Sequence, residues 1–99
     1  MAHLTFNEAK EKHFDRLGQF TPSVARVHGD NHPEFHEVKV LWDTIQEKTE
    51  AAGSDNPELD VEFSQLRDIT NHYAVPSDVC ESYEAVYKML EEVDAAYEA

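Results

Sequence analysis

Apolar residues recur along this chain at helical spacing, and no segment shows the period of two that marks a half-buried strand. Phe35, Val38, Trp42, Ile45, Thr49 and Ala52 are spaced 3, 4, 3, 4 and 3 apart, the stripe of a helix facing a bundle core. That stripe predicts a helix from about Pro33 to Ala52, opened by Pro33 and closed by Gly53. Val79, Tyr83, Val86, Leu90, Val93 and Tyr97 repeat the pattern. They predict a last helix from about Val79 to Tyr97, with Ser77 or Asp78 as its cap. Leu59, Phe63, Leu66 and Ile69 predict a third helix that starts at the Asn56-Pro57 cap and fades near His72. Near the beginning, Thr5 and Glu8 have the spacing of a capping box, in which each side chain satisfies the other residue's backbone N–H. Phe6, Ala9, Phe14 and Leu17 line a first helix from about Phe6 to Leu17. Gly18 is expected to stop it, and a short helical turn from Pro22 to His28 follows.

Short connections between helices of this length favour antiparallel neighbours. The expected fold is therefore all-α, a small up-down helical bundle of three to four helices forming one domain over 1–99. At 99 residues the chain has enough material for one modest core. Lys and Arg number 8 against 21 Asp and Glu, a formal net charge of −13. Such a surface disfavours nucleic acid and the anionic inner leaflet of membranes, and suits a basic partner or a cation. No apolar run approaches the roughly 20 residues of a membrane span, and Met1 to Lys12 has no signal-peptide core. The single cysteine, Cys80, forms no internal disulfide. A free thiol fits a reducing compartment, so the expected location is cytoplasmic.

The densest candidate chemistry is His28-Gly29-Asp30-Asn31-His32-Pro33-Glu34-Phe35-His36-Glu37. Two imidazoles four apart on one helix share a face and can grip a transition metal, and His32 and His36 have that spacing. Gly29 and Pro33 argue against one continuous helix, which would make His32 a cap and put His36 in the first turn. The alternative is that these are ordinary polar residues at a helix start. His13 lies between Phe6 and Leu17 and reads as a partly buried boundary histidine. His28, His32, His36 and His13 are the candidate metal ligands, for iron or zinc, with no bound metal as the alternative.

A helical di-iron site uses Glu-x-x-His or His-x-x-x-Glu pairs on facing helices. No histidine here has a carboxylate four residues after it or three before it. His72 and Cys80 flank the last connector and could form a base–nucleophile pair if close in space. Cys80 follows the core residue Val79 and reads more simply as a semi-buried filler. Glu81, Glu84, Glu91, Glu92 and Asp94 read as a solvated face. P-loop, dinucleotide-binding and nucleophile-elbow patterns are absent from the sequence.

Val27-His28-Gly29-Asp30-Asn31-His32-Pro33-Glu34 resembles the VHG-x-x-HPE segment of the RIC family, hemerythrin-like di-iron proteins that repair iron–sulfur clusters under nitrosative and oxidative stress. The stretch from Pro76 to Tyr87 is similar to that family's P-x-x-x-C-x-(S/T)-aromatic-x-x-x-Y pattern, which opens its final helix. The two motifs occur in the family's order. The resemblance implies a hemerythrin-like bundle and a role in iron–sulfur repair or iron and stress handling. It does not carry over the di-iron ligands. Where the family ends its second helix with His-x-x-x-Glu, this chain reads Glu50-Ala51-Ala52-Gly53. Where the third helix should begin His-Asp-Glu, it reads Asn56-Pro57-Glu58. The family's last His-x-x-x-Glu pair and its N-terminal cysteine-containing domain have no counterpart in these 99 residues. Two expectations follow. One is a shortened RIC-like protein with a reduced or intermolecular metal site, its ligands doubled across a homodimer. The other is a metal-free helical module that binds a protein partner. An enzyme using Cys80 or a histidine ranks below both.

Overall fold

The computed structural model describes residues 5–53, 55 and 57–98. Four helices follow in order, α1 (Phe6–His28), α2 (Glu34–Ala52), α3 (Asp60–Ile69) and α4 (Glu81–Glu98). Among the described residues there is no strand. α1 packs most extensively on α4 and also on α2, and α2 packs on α3. Each neighbouring pair runs antiparallel. His13 meets Glu92 while His28 meets Cys80, Phe14 meets Trp42, and Lys48 meets Glu62. Arg67 and Phe63 of α3 reach Glu98 and Tyr97 of α4 and close the up-down bundle.

The capping box forms as the sequence predicts: the Thr5 N–H donates to Glu8 Oε1 at 2.9 Å, and the Glu8 N–H donates to Thr5 Oγ1 at 3.1 Å. The helix it starts, however, does not stop at Gly18. α1 runs unbroken to His28 with Gly18 and Pro22 inside it. An interior proline forfeits one backbone hydrogen bond and crowds the carbonyl four residues back, a penalty of about 3 kcal/mol. Leu17, Thr21, Val24 and Ala25 are all buried along the continued helix. Burying an aliphatic side chain the size of Leu17 or Val24 contributes roughly 1.5–3 kcal/mol, and with the smaller gain from Ala25 this offsets the proline.

The α2 stripe behaves as expected. Phe35, Val38, Trp42, Ile45 and Thr49 are buried, joined by Leu41, and Ala52 is half-buried at the end. Gly53 ends the helix at φ +62°, a left-handed conformation that costs glycine least. α3 begins at Asp60 rather than at the Asn56-Pro57 cap. Asn56 lies outside the described residues, and Leu59 takes the cap position, its N–H donating to Tyr97 Oη at 2.8 Å. α4 likewise begins two residues late. Cys80 takes the cap position through its carbonyl, which accepts from the Glu84 N–H at 3.2 Å.

α3 ends in an unusual turn. Asn71, His72 and Tyr73 have φ of 53°, 60° and 63°, a left-handed stretch costing about 1–2 kcal/mol per residue. The His72 N–H donates to Arg67 O at 2.7 Å and the Tyr73 N–H to Thr70 Oγ1 at 2.8 Å. The turn places Tyr73 against α4, where its hydroxyl donates to Asp94 Oδ2 at 2.7 Å. Asp94 is thus buried, not part of the solvated face expected of it, whereas Glu81, Glu84, Glu91 and Glu92 are exposed. Among the described residues no helix is long and apolar enough to cross a membrane.

Candidate functional site

The two motif segments meet at one end of the bundle. α1 delivers His28 at its last position, Gly29–Pro33 turns the chain, and α2 departs from Glu34. Across from them the Pro76–Cys80 connector leads into α4. Two contacts join the segments. His28 Nε2 lies 3.1 Å from Cys80 Sγ. His32 Nε2 lies 3.0 and 3.2 Å from the two Asp78 carboxylate oxygens, while its Nδ1 lies 3.0 Å from Glu34 Oε2.

Tyr83 is the floor of this joint. It is fully buried, and the rings of His28 and His32 stand edge-on to it at centroid distances of 5.4 and 5.5 Å. Its ring also packs on Phe35 and Tyr87, and its hydroxyl pairs with that of Tyr87 at 3.1 Å. Burial pushes the Tyr83 and Tyr87 phenols above their ordinary range, so both stay neutral. The hydrogen bond that the His32 imidazole donates to Glu34, reinforced by Asp78, raises that imidazole above its ordinary value and favours its charged form.

The other candidate ligands lie apart from this pair. The His36 ring, an exposed one, sits directly over Gly29, where any side chain would collide with His36 Nε2 and with the Ala25 carbonyl. Only glycine fits under it. His13 is buried rather than at the boundary. Its Nε2 lies 3.3 Å from Glu92 Oε1 without the alignment of a hydrogen bond. The adjacent imidazole, with the Lys12 ammonium beside it, holds the Glu92 carboxyl below its usual range. His72 lies beside Arg67, Tyr73 and Glu91, at a separate surface depression. The imidazole that meets Cys80 is therefore His28, and Cys80 is an exposed thiol rather than a semi-buried filler. Sequence reasoning named Cys80 only as a possible partner of His72 or a filler, Asp78 only as a helix cap and Tyr83 only as a core position, although all three lie inside the second motif.

A di-iron centre does not fit these residues. Among the described residues no group of three or more His, Cys, Asp or Glu side chains is placed to hold a metal ion. The interior where facing helices would supply ligands is filled by Phe35, Trp42, Tyr83 and Tyr87. What the joint does offer is a thiol in contact with an imidazole, beside a groove of about 350 Å³ between Phe20, Val24, Val27 and Ser82. That arrangement suits proton transfer at sulfur and nucleophilic or ligating chemistry by the thiol. No protein-family model, curated protein or solved structure matches this chain.

Proposed function

We propose that this protein is a small RIC-like helical module of iron–sulfur repair or iron and stress handling in the cytoplasm, and that it works through the His28–Cys80 joint instead of a di-iron centre. One observation carries the reading. The two segments that resemble the family, far apart in sequence, pack against each other through His28–Cys80 and His32–Asp78. Their residue types are accounted for by a single site, and that site holds the exposed thiol. The test is recovery of an iron–sulfur enzyme after nitric oxide exposure, in cells lacking the protein and in cells carrying Cys80→Ser. Slower recovery in both, restored by the unaltered chain, is the expected outcome. Equal recovery in all three would end the reading.

A second reading is a metal-free module that binds a protein partner. It is favoured by the engagement of His13 and His32 with protein carboxylates and by a net charge of −13 that suits a basic partner. Metal content tests the second reading, as the recovery assay tests the first. Untagged protein grown with added iron or zinc is subjected to elemental analysis beside a sizing column. Near-stoichiometric metal, lost in the His32→Ala/His36→Ala double variant with helicity intact, would exclude the metal-free module. No metal in either protein would favour it.

A further inference from the structure

We propose that Cys80 is a thiol–disulfide exchange site, with His28 as its proton acceptor and small disulfides of neutral or cationic character as its substrates. The inference rests on the reading that this joint is the working end of the molecule, and goes beyond it in naming the chemistry.

Three features of the joint converge on it. First, Sγ and Nε2 are 3.1 Å apart, within direct hydrogen-bond reach of each other with no intervening group. The His28 ring is held in that orientation by its edge-on packing on the buried Tyr83, so the pair is preorganised from below. Second, Cys80 is exposed, whereas a structural cysteine is ordinarily buried and inert. Third, the thiol opens onto the groove between α1 and the start of α4. Phe20, Val24 and Val27 give it an apolar wall, and Gln19, Ser23 and Ser82 give it polar groups at the rim. Cys80 itself lines that groove, so a small disulfide entering it comes within reach of Sγ.

The step balances without any further reagent. The Cys80 S–H proton moves to His28 Nε2, and the sulfur attacks one sulfur of the incoming disulfide, R–S–S–R. A Cys80–S–S–R bond forms as the original S–S bond breaks. The departing RS⁻ takes the bonding electron pair and receives the proton back from His28. Cys80 is oxidised to a mixed disulfide, and one half of the substrate is reduced to the free thiol RSH. A second thiol reverses the step, so the modification is a reversible cap on Cys80.

Charge selects the substrate. Asp78, Glu81 and Glu84 lie within four residues of Cys80 and are exposed, on a chain of net charge −13. An anionic disulfide such as that of glutathione is repelled, and a cationic one such as cystamine is drawn in.

The experiment follows mixed-disulfide formation by intact-protein mass at neutral pH. Full-length protein is compared with a synthetic peptide of residues 76–84, in which the same sulfur and the same acidic neighbours lack His28. Cystamine should modify the folded protein about tenfold faster than the peptide, and His28→Gln should remove that advantage. Glutathione disulfide should react at least about tenfold more slowly than cystamine at low salt, with the gap narrowing in salt. Folded protein reacting no faster than the peptide would overturn the proposal, and needs no variant that might misfold. An advantage that survives His28→Gln in a folded variant would overturn the role of His28. Failure of exchange alongside normal iron–sulfur enzyme recovery would remove this chemistry while leaving the working end in place. Rapid exchange without any effect on recovery would do the opposite.

Discussion

The hydroxyls of Tyr83 and Tyr87 form a sealed pair, and cutting it one side at a time should give strongly non-additive effects. The two residues are 0% and 2% exposed, and their oxygens are 3.1 Å apart. Among the described residues each hydroxyl has the other as its partner. Tyr83→Phe removes one hydroxyl and leaves the Tyr87 hydroxyl buried without a partner, which costs about 1–3 kcal/mol. Tyr87→Phe should cost the same for the mirrored reason. Removing both hydroxyls leaves an apolar pair of almost unchanged shape, so the double variant should lie within about 1 kcal/mol of the starting protein. The cycle therefore yields a coupling of about 1–6 kcal/mol, the sum of the two single losses less the small loss of the double variant. Urea unfolding followed by far-ultraviolet circular dichroism measures all four proteins. In thermal scans each 1 kcal/mol appears as roughly 4–8 °C for a domain of this size. If the double variant loses the sum of the two single losses, the hydroxyls are not each other's partners and the floor of the joint is wrongly described.

Three further outcomes follow from the packing. Trp42 is 1% exposed and packs on Phe14, so Trp42→Ala should cost about 3–5 kcal/mol; a loss below about half a kcal/mol in chemical unfolding would place the indole at the surface. Pro22 sits inside α1 on the exposed side, so Pro22→Ala should stabilise by about 1–3 kcal/mol by restoring a backbone hydrogen bond, and destabilisation on the same assay would refute the helix's continuity. The His32 imidazole should titrate by nuclear magnetic resonance above its ordinary value, because Glu34 and Asp78 hold its charged form. Since the folded value is the higher one, its contribution to stability is complete below about pH 6.5 and fades as pH rises through the folded value. Asp78→Asn should lower that midpoint and flatten stability across the same window; an unchanged midpoint would sever His32 from Asp78.

How much of this was legible in the sequence depended on the range of the cause. The α2 stripe was readable because every member answers to one local requirement, burial on a single face. The continuity of α1 was not. Gly18 and Pro22 are genuine local stop signals, and they are overruled by the burial of Leu17, Val24 and Ala25 against other helices, which no window on α1 contains. Asp94 was misread for a similar reason. On α4 it looks like one more acidic surface residue, and its partner Tyr73 reaches it from a turn that only the three-dimensional path supplies. Asn71 tolerates a left-handed conformation, but nothing in His72 or Tyr73 announces one.

The joint sits between these extremes. Both of its segments stood out as motifs, so its location was half visible. Its chemistry was not, because His28 meets Cys80 across 52 positions and His32 meets Asp78 across 46. Spacing within the histidine-rich segment directed attention to the wrong partners, since His36 folds back over Gly29. A thiol and an imidazole from two motifs become a pair only through the antiparallel packing of α1 and α4.

The most direct measurement is a nuclear Overhauser spectrum of the folded protein in solution, read at the Cys80 β-protons and the His28 and Tyr83 ring protons. The joint described here requires cross-peaks from Cys80 to the His28 ring and from that ring to Tyr83. A folded protein whose His28 ring shows neither contact would contradict the juxtaposition on which the proposed function and the thiol chemistry both stand.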